Sequence, residues 1–351
     1  MIDLRSDTFT KPTAEMLDYM FRAEVGDDVF CEDSTVNALE EKVASLFQKE
    51  AALFCPSGTM ANQIAIKVHT QPGDEVICAA QAHIYYYEGG GISFNSSASV
   101  KLIDNPDTFI YAEDIKSKIN PDDVHFPRTR LVAVENTTNR GGGRCYSFDE
   151  LTKISAICRE QGLAFHVDGA RLFNALVAKG ETPKQYGAIF DSISICLSKG
   201  LGAPVGSVLI GDKVFIKQAR RVRKVFGGGM RQAGYLAAAG IYALDNQVNR
   251  LAEDHLHAQQ LREALLDKSY VNEVFPVETN IVIFTTKGVN ASTLLDELSK
   301  HQIKAISMGV DKMRLVTHLG VSKSDIEHAI QVLKNIDGKE FKGNSSVYSG
   351  Y

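Results

Sequence analysis

The chain has 351 residues, 44% hydrophobic and 23% charged, with 38 Lys plus Arg against 43 Asp plus Glu for a formal net charge of -5. Such values belong to an ordinary globular protein and exclude a collagen-like, low-complexity or disordered chain, and the slight acidic excess gives no general attraction to nucleic acid or anionic lipid. The length suits two packed domains better than one.

The amino-terminal MIDLRSDTFTKP lacks the apolar core of a secretory signal, and no stretch approaches the ~20 apolar residues of a membrane helix, so a cytoplasmic location is expected. Between Asp33 and Lys49 the residues Val36, Leu39, Val43, Leu46 and Phe47 recur at helical spacing behind the candidate caps Asp33, Ser34 and Thr35, which predicts an amphipathic helix. AALF, a Pro-Ser-Gly-Thr turn and MANQIAIKVH follow as strand, turn and helix. EVICAA, RLVAVEN, LAFHVDGA, SISICLS and GSVLIG are further apolar runs, several separated by helical patterns such as FDELTKISAICREQG. Strands alternating with helices imply a largely parallel sheet covered on both faces. From Gly229 through Leu244 and beyond Arg250 the chain predicts a helical segment so apolar that something must cover it.

The order then changes. TNIVIFTT and KMRLVTHL predict strands, and NASTLLDELSKHQ and SKSDIEHAIQVLKNI predict helices on one face of a small antiparallel or mixed sheet. A boundary near residue 248 separates an N-terminal arm and large domain (1–248) from a small C-terminal α/β domain (249–341), and the polar end (342–351) reads as a flexible tail. The cysteines Cys31, Cys55, Cys78, Cys145, Cys158 and Cys196 have no C-x-x-C spacing and are expected to be reduced, mostly buried thiols. His255 and His257 stand two apart in a helical pattern, do not share a face, and are expected on the solvated surface; no metal site is expected.

Three short motifs carry chemistry together. HVDGAR ends an apolar strand on Asp168, LSKGLGAPVG puts Lys199 after the next strand, and PSGT turns the chain at Gly58 and Thr59 into a helix whose first N–H groups face outward. Alone, each is an ordinary turn former, solvated lysine or turn. Combined, a lysine amine can form a Schiff base with the aldehyde of pyridoxal 5'-phosphate (PLP), an aspartate can keep its ring nitrogen protonated, and a helix start can bind its phosphate.

LRSDTFTKP, GDDVFCED, SGTMANQ, AHIYYYEGG, HFPRTRLVAVEN, HVDGARLFNA, CLSKGLGAPVGS, GGGMRQAGYLAAAGIYAL and RLVTH, in this order from Leu4 to about Ile336, resemble the L-threonine aldolases of the fold-type-I PLP enzymes. The likeness is greatest to the low-specificity and L-allo-threonine members. It implies a PLP-dependent transferase-like α/β fold: a large domain with a mostly parallel seven-stranded sheet between helices, and a small C-terminal domain. It also implies a homotetramer whose paired subunits complete each other's sites. The implied reaction is retro-aldol cleavage of L-threonine or L-allo-threonine to glycine and acetaldehyde, which serves threonine catabolism and glycine biosynthesis.

By the same resemblance, Lys199 holds the cofactor, Asp168 pairs with its ring nitrogen, His83 stacks on its ring, and Gly58 and Thr59 bind its phosphate. Arg171 and Arg314, with Ser6, clamp the substrate carboxylate, a task suited to the planar guanidinium fork. Tyr87, Lys224 and Arg231 reach a neighbouring subunit's site, where Lys224 and Arg231 meet phosphate or carboxylate charge; Arg171 and Arg231 count among the cofactor's contacts. His83 or His125 removes the β-hydroxyl proton. RRVRK, Arg220 to Lys224, also has the look of a nucleic-acid patch, which the acidic balance disfavours. Two positions depart from the family pattern: Thr138 stands in ENTTN where histidine is common, and Phe30 replaces a common tyrosine. Another PLP reaction, β-elimination or aminotransfer, is the competing reading, because the fold does not choose the reaction.

Overall fold

The computed structural model describes residues 1–336. The expected tail at 342–351 and the last residues of the 249–341 segment lie outside them. Asp33 caps the helix Ser34–Phe47, its Oδ1 accepting from the N–H of Val36 at 3.0 Å, as its place before the apolar repeat requires. After β1 (Ile2–Asp3), the apolar runs form β2 (Ala51–Cys55), β3 (Glu75–Ala79), β4 (Ser99–Ile103), β5 (Thr129–Glu135), β6 (Ala164–Gly169), β7 (Ser192–Cys196) and β8 (Ser207–Gly211). Strands β2 to β8 make one seven-stranded sheet in the order β2-β8-β7-β6-β5-β3-β4. Only β8 runs against its neighbours. Helices cover both faces: Gly58–His69 and Lys213–Val225 bury Leu53, Ile64, Leu209 and Phe215 on one, and a larger core with Phe47, Leu131, Phe165 and Ile193 fills the other. Strand β4 escapes the sequence pattern because it is an edge strand, half-exposed and carrying Lys101.

The second layer holds β9 (Val271–Val274), β10 (Ile281–Thr286), β12 (Ile306–Ser307) and β13 (Lys312–Val316), an antiparallel sheet in the order β12-β13-β10-β9. The helices Leu251–Leu265, Ala291–Lys300 and Lys323–Asn335 pack with it around Leu261, Val282, Phe284, Leu294, Leu315 and Ile326. The two short strands β1 and β11 (Ile303–Lys304) pair in parallel, so Ile2 and Leu4 join this smaller core before the chain crosses to the large sheet.

Two expectations need correction. His257 is buried, because its helix lies between the two cores rather than on the surface; His255 is half-buried and its Nε2 lies 3.2 Å from the Asn174 amide nitrogen. The apolar segment after Gly229 is two helices, Gly234–Asn246 and Leu251–Leu265, and the first is covered by the helices Ala14–Phe21 and Ser34–Phe47 of the same chain. Its composition therefore demands no second subunit. Nor is RRVRK a free basic patch: Arg223 is buried on Asp28 at 2.6 Å, and Arg220 binds Glu40 at 2.5 Å. Five of the six cysteines are buried and all are free, with Cys31 exposed.

Close approach at Gly187 sets how the helix Pro183–Ile189 seats on the end of Ser34–Phe47. A Cβ at this position falls on the carbonyl oxygen of Phe47, which is backbone and cannot swing aside. Gly187→Ala is therefore expected to lower unfolding free energy by about 1–3 kcal/mol, measured as an earlier denaturant midpoint; an unchanged midpoint would refute the contact.

Candidate active site

Open α/β sheets bind ligands beyond the carboxyl ends of their strands. There β6 ends with Asp168 and Gly169, and β7 ends at Cys196, just before Lys199. The helix Gly58–His69 starts at the same edge: a Cβ on Gly58 would come within 2.6 Å of Cys196 Sγ. Ser57 caps this helix by accepting from the N–H of Met60 at 3.2 Å, while no described residue accepts from the N–H groups of Gly58 and Thr59. They remain free donors at the positive end of the helix. An amine, a buried carboxylate and free N–H donors form the set that PLP needs for its aldehyde, ring nitrogen and phosphate. A side chain at position 58 would crowd that cradle. The residues fit the cofactor.

Lys199 is half-buried, its Nζ donating to Cys196 Sγ at 3.1 Å. Burial pulls its pKa down, but the charges of Cys196 and Asp7 outweigh burial and Arg171, and leave it raised. The Asp168 carboxylate is 2% exposed; its Oδ2 accepts from Asn62 Nδ2 at 2.9 Å and its Oδ1 from the N–H of Ala170 at 3.1 Å. The same Asn62 nitrogen donates to Glu88 Oε1 at 3.0 Å, so one amide bridges two buried acids. Glu88 also accepts from Gln63 at 2.6 Å and from Nδ1 of His83 at 3.0 Å. Burial opposes charge on His83, but Glu88, Asp168 and Glu135 overcome it and raise its pKa. His83, Glu88 and Asp168 lie within 4.8 Å of one another, a spacing that hydrogen bonds through Asn62 already account for.

On the other side of the site, Arg171 is buried and its Nε and Nη2 both reach Asp7 at 2.7 Å. The fork expected to grip a substrate carboxylate is thus occupied by a protein one, and only Nη1 is left without a described partner. Arg314 is different: Nη1 donates to Asn139 Oδ1 at 2.9 Å, Nη2 to the carbonyl of Arg5 at 3.2 Å, and its buried Nε has no partner. Burial, then the nearby Arg171 charge, lower its pKa. Ser6 precedes Asp7 and caps its short turn by accepting from Thr8.

Of the remaining predicted residues, one chain brings only Tyr87 to the site, its ring centroid 5.6 Å from that of His83. His125 is exposed and its ring meets Asp123 at 2.7 Å. Arg231 is exposed with Asp27 at 2.9 Å, Lys224 is exposed on the helix Lys213–Val225, and the Tyr87 hydroxyl accepts from Arg140 at 2.7 Å. Thr138 is buried, and its N–H donates to the Arg144 carbonyl at 3.0 Å; Phe30 is 69% exposed.

The β-eliminating lyase family model matches residues 3–288, and the chain belongs to that family, whose members use PLP. Within it, the chain falls among the L-threonine aldolases. It is 46% identical over 331 residues to the low specificity L-threonine aldolase of Escherichia coli (strain K12), covering 93% of this chain and 96% of that one. It is 41% identical over 337 residues to low-specificity L-threonine aldolase 1 of Arabidopsis thaliana, covering 94% of each. A solved structure of Leishmania major threonine aldolase shares the fold with a TM-score of 0.84 at 24% identity, covering 95% of this chain and 99% of that one.

Asn62, Glu88, Glu135, Asp7 and Asn139 were not singled out from the sequence. Glu135 carried a signal, an acid closing the apolar run LVAV, where burial makes a charge expensive unless it has a use. The others show only when the fold brings distant segments together. Burial, then the negative charge of Asp168, push Glu135 up to about 7, against His83 and two backbone donors. The folded chain thus holds this proton more tightly than an unfolded one, whose Glu titrates near 4.5. The resulting stability is full below pH 4.5 and is lost as pH rises through about 7. Relative to Glu135→Gln, which cannot titrate, the cofactor-free parent should lose on the order of 2 kcal/mol between about pH 5 and about pH 8 in denaturant titrations. Parallel pH dependences would show that Glu135 titrates normally.

Proposed function

We propose that this chain cleaves L-threonine and L-allo-threonine to glycine and acetaldehyde with PLP, as a cytoplasmic homotetramer that shares its sites within subunit pairs. What supports the reaction most directly is one sheet edge carrying the Lys199 amine, the Asp168 carboxylate and the free N–H groups of Gly58 and Thr59 beside two guanidinium groups. The names of the relatives support the substrate. Glycine formation and threonine breakdown are the metabolic roles that follow.

Lys199 would hold the cofactor's aldehyde, Asp168 its ring nitrogen, Gly58 and Thr59 its phosphate, and His83 its ring face. When bound, PLP supplies the electron sink for the Cα–Cβ bond. Asn62 keeps Asp168 oriented by donating to its Oδ2. Arg314, with Ser6 and the free Nη1 of Arg171, binds the substrate carboxylate and so sets which bond at Cα stands ready to break. His83 takes the β-hydroxyl proton at Nε2, because its Nδ1–H is committed to Glu88. His125, Lys224 and Arg231 enter a site only through assembly, whereas Tyr87 already packs against the His83 ring of its own chain. Exposed aromatic side chains on the two short helices that follow Ala82, with Tyr86 at 54% in His83–Tyr86 and Phe94 at 85% in Gly91–Ser96, support such an interface.

A panel of L-threonine, L-allo-threonine and other β-hydroxy amino acids tests the reaction: glycine and aldehyde should form in equal amounts. A keto acid with ammonia would establish β-elimination instead. Lys199→Ala should lose all turnover while keeping its fold, and Asp168→Asn should retain some cofactor yet lose most activity. Near-normal turnover in either variant would remove that residue from the mechanism.

Site sharing has its own test. Once subunit exchange is demonstrated, mixing inactive Lys199→Ala chains with strongly impaired Arg231→Ala chains should restore partial activity, because a hybrid pair contains one site with both native residues. Exchange without any regain would place Lys199 and Arg231 of the same chain in one site.

A further inference from the structure

The loop after β5 leaves the large sheet and lands on the small one. At its root, Glu135 stands in register with Asp168 of β6 and is 7% exposed. Its two oxygens serve separate segments: Oε2 accepts from the N–H of His83 and Oε1 from the N–H of Asn139, both at 3.1 Å. Asn139 passes this grip onward, its Oδ1 accepting from Nη1 of Arg314 at 2.9 Å. Arg314 lies in β13 opposite Ile283 of β10 and Ile306 of β12, so its backbone belongs to the other core. Further along the loop, Gly143 takes a hydrogen bond from Thr279 at 2.6 Å on its carbonyl. Its φ of +71°, together with the closeness of Thr279 and Ile281, leaves no place for a side chain.

We propose that Glu135 is a positioning residue that, through the backbone of Asn139, fixes the guanidinium of Arg314 for the substrate carboxylate. This rests on the reading of Arg314 as the residue that binds that carboxylate. An arginine side chain carries about 2 kcal/mol of rotamer entropy, and its strand alone does not fix where its fork points. Asn139 restrains it with a neutral acceptor. The contrast with Arg171 is informative: a carboxylate, Asp7, holds that guanidinium and neutralises it, whereas an amide oxygen orients Arg314 and leaves its charge for a ligand. Glu135 in turn must be an acid, since only a carboxylate offers an acceptor to both N–H groups. An amide would turn its NH2 toward one of them. Burial and the repulsion from Asp168 make this acid costly, which marks it as a group kept for a task rather than for stability.

The test uses holoenzyme, with glycine affinity read from the change in cofactor absorbance and KM and kcat read with L-threonine. Asn139→Ala should weaken glycine binding and raise KM about tenfold, the loss of one charge-assisted hydrogen bond, with kcat within about threefold of the parent. Asn139→Asp keeps the acceptor but adds the charge that ties up Arg171, and should weaken glycine at least as much. Glu135→Gln, nearly identical in volume, should weaken glycine several-fold, and adding it to Asn139→Ala should weaken glycine no further, because both act along one path. Arg314→Ala calibrates the set. If it binds glycine as tightly as the parent, the carboxylate reading falls and the proposal with it. If Arg314→Ala loses glycine while Glu135→Gln and Asn139→Ala bind it normally, or if their effects add in full, the proposal alone is overturned.

Discussion

Three carboxyl groups, Glu88, Glu135 and Asp168, are buried around a single imidazole, His83, at the carboxyl edge of the large sheet. Like charges in such surroundings repel strongly, so the arrangement stands only because their oxygens have donors. Asn62 is the pivot. Its nitrogen reaches both Asp168 and Glu88, and its oxygen is fixed by Ser194 Oγ at 2.6 Å and His166 Nε2 at 3.3 Å. His166 leans in turn on Ser192, which also meets His69. Burial pushes these two imidazoles down to about 4 and about 3, so they stay neutral and add direction rather than charge. A polar chain through the sheet thereby sets how one amide faces two acids.

Opposite this acid group lies a basic one. Lys199, Arg171 and Arg314 gather around one carboxylate, Asp7, which their charges and Asn280 hold down at about 2 despite burial. The two groups come from different parts of the chain. Asp7 follows the strand that pairs with β11, Arg314 belongs to the small sheet, and Lys199 and Arg171 follow strands of the large one. Joining the cores is therefore what assembles the basic side, and the β5 loop, with Asn139 on Arg314 and Gly143 on Thr279, is one of the joints.

Legibility in the sequence followed the range of the interaction. Strands β5, β6 and β7 are buried on both faces, so they appear as continuous apolar runs, and Asp168 and Lys199 stand out at their ends. Edge strand β4 and the short β9 lack that pattern because solvent takes part of each. Asn62 and Glu88 sit in segments that were recognised for other residues, yet their pairing joins the helix Gly58–His69, the bend after His83–Tyr86 and β6, which no spacing rule encodes. For the helix Gly234–Asn246 the apolar surface and its need of a cover were evident, but not that two helices earlier in the chain would supply it. The subunit-boundary roles of Tyr87, Lys224 and Arg231, and that of His125 as an alternative base, rest on resemblance, and a single chain leaves these residues among partners such as Arg140, Asp27 and Asp123.

The two charge groups also account for why one site suits an amino acid and a pyridine cofactor together. On the acid side three buried carboxyl groups face one imidazole, and a protonated ring nitrogen at Asp168 would relieve that crowding. On the basic side, three cations face one acid, and a ligand carboxylate beside the partnerless Nε of Arg314 would relieve them. Each imbalance is costly alone, since buried charge without a partner destabilises the fold. On the proposed reading, binding the two charged partners would remove both costs. The strain built into the sheet edge is in this sense the specificity of the site, because a neutral ligand would leave both groups unbalanced.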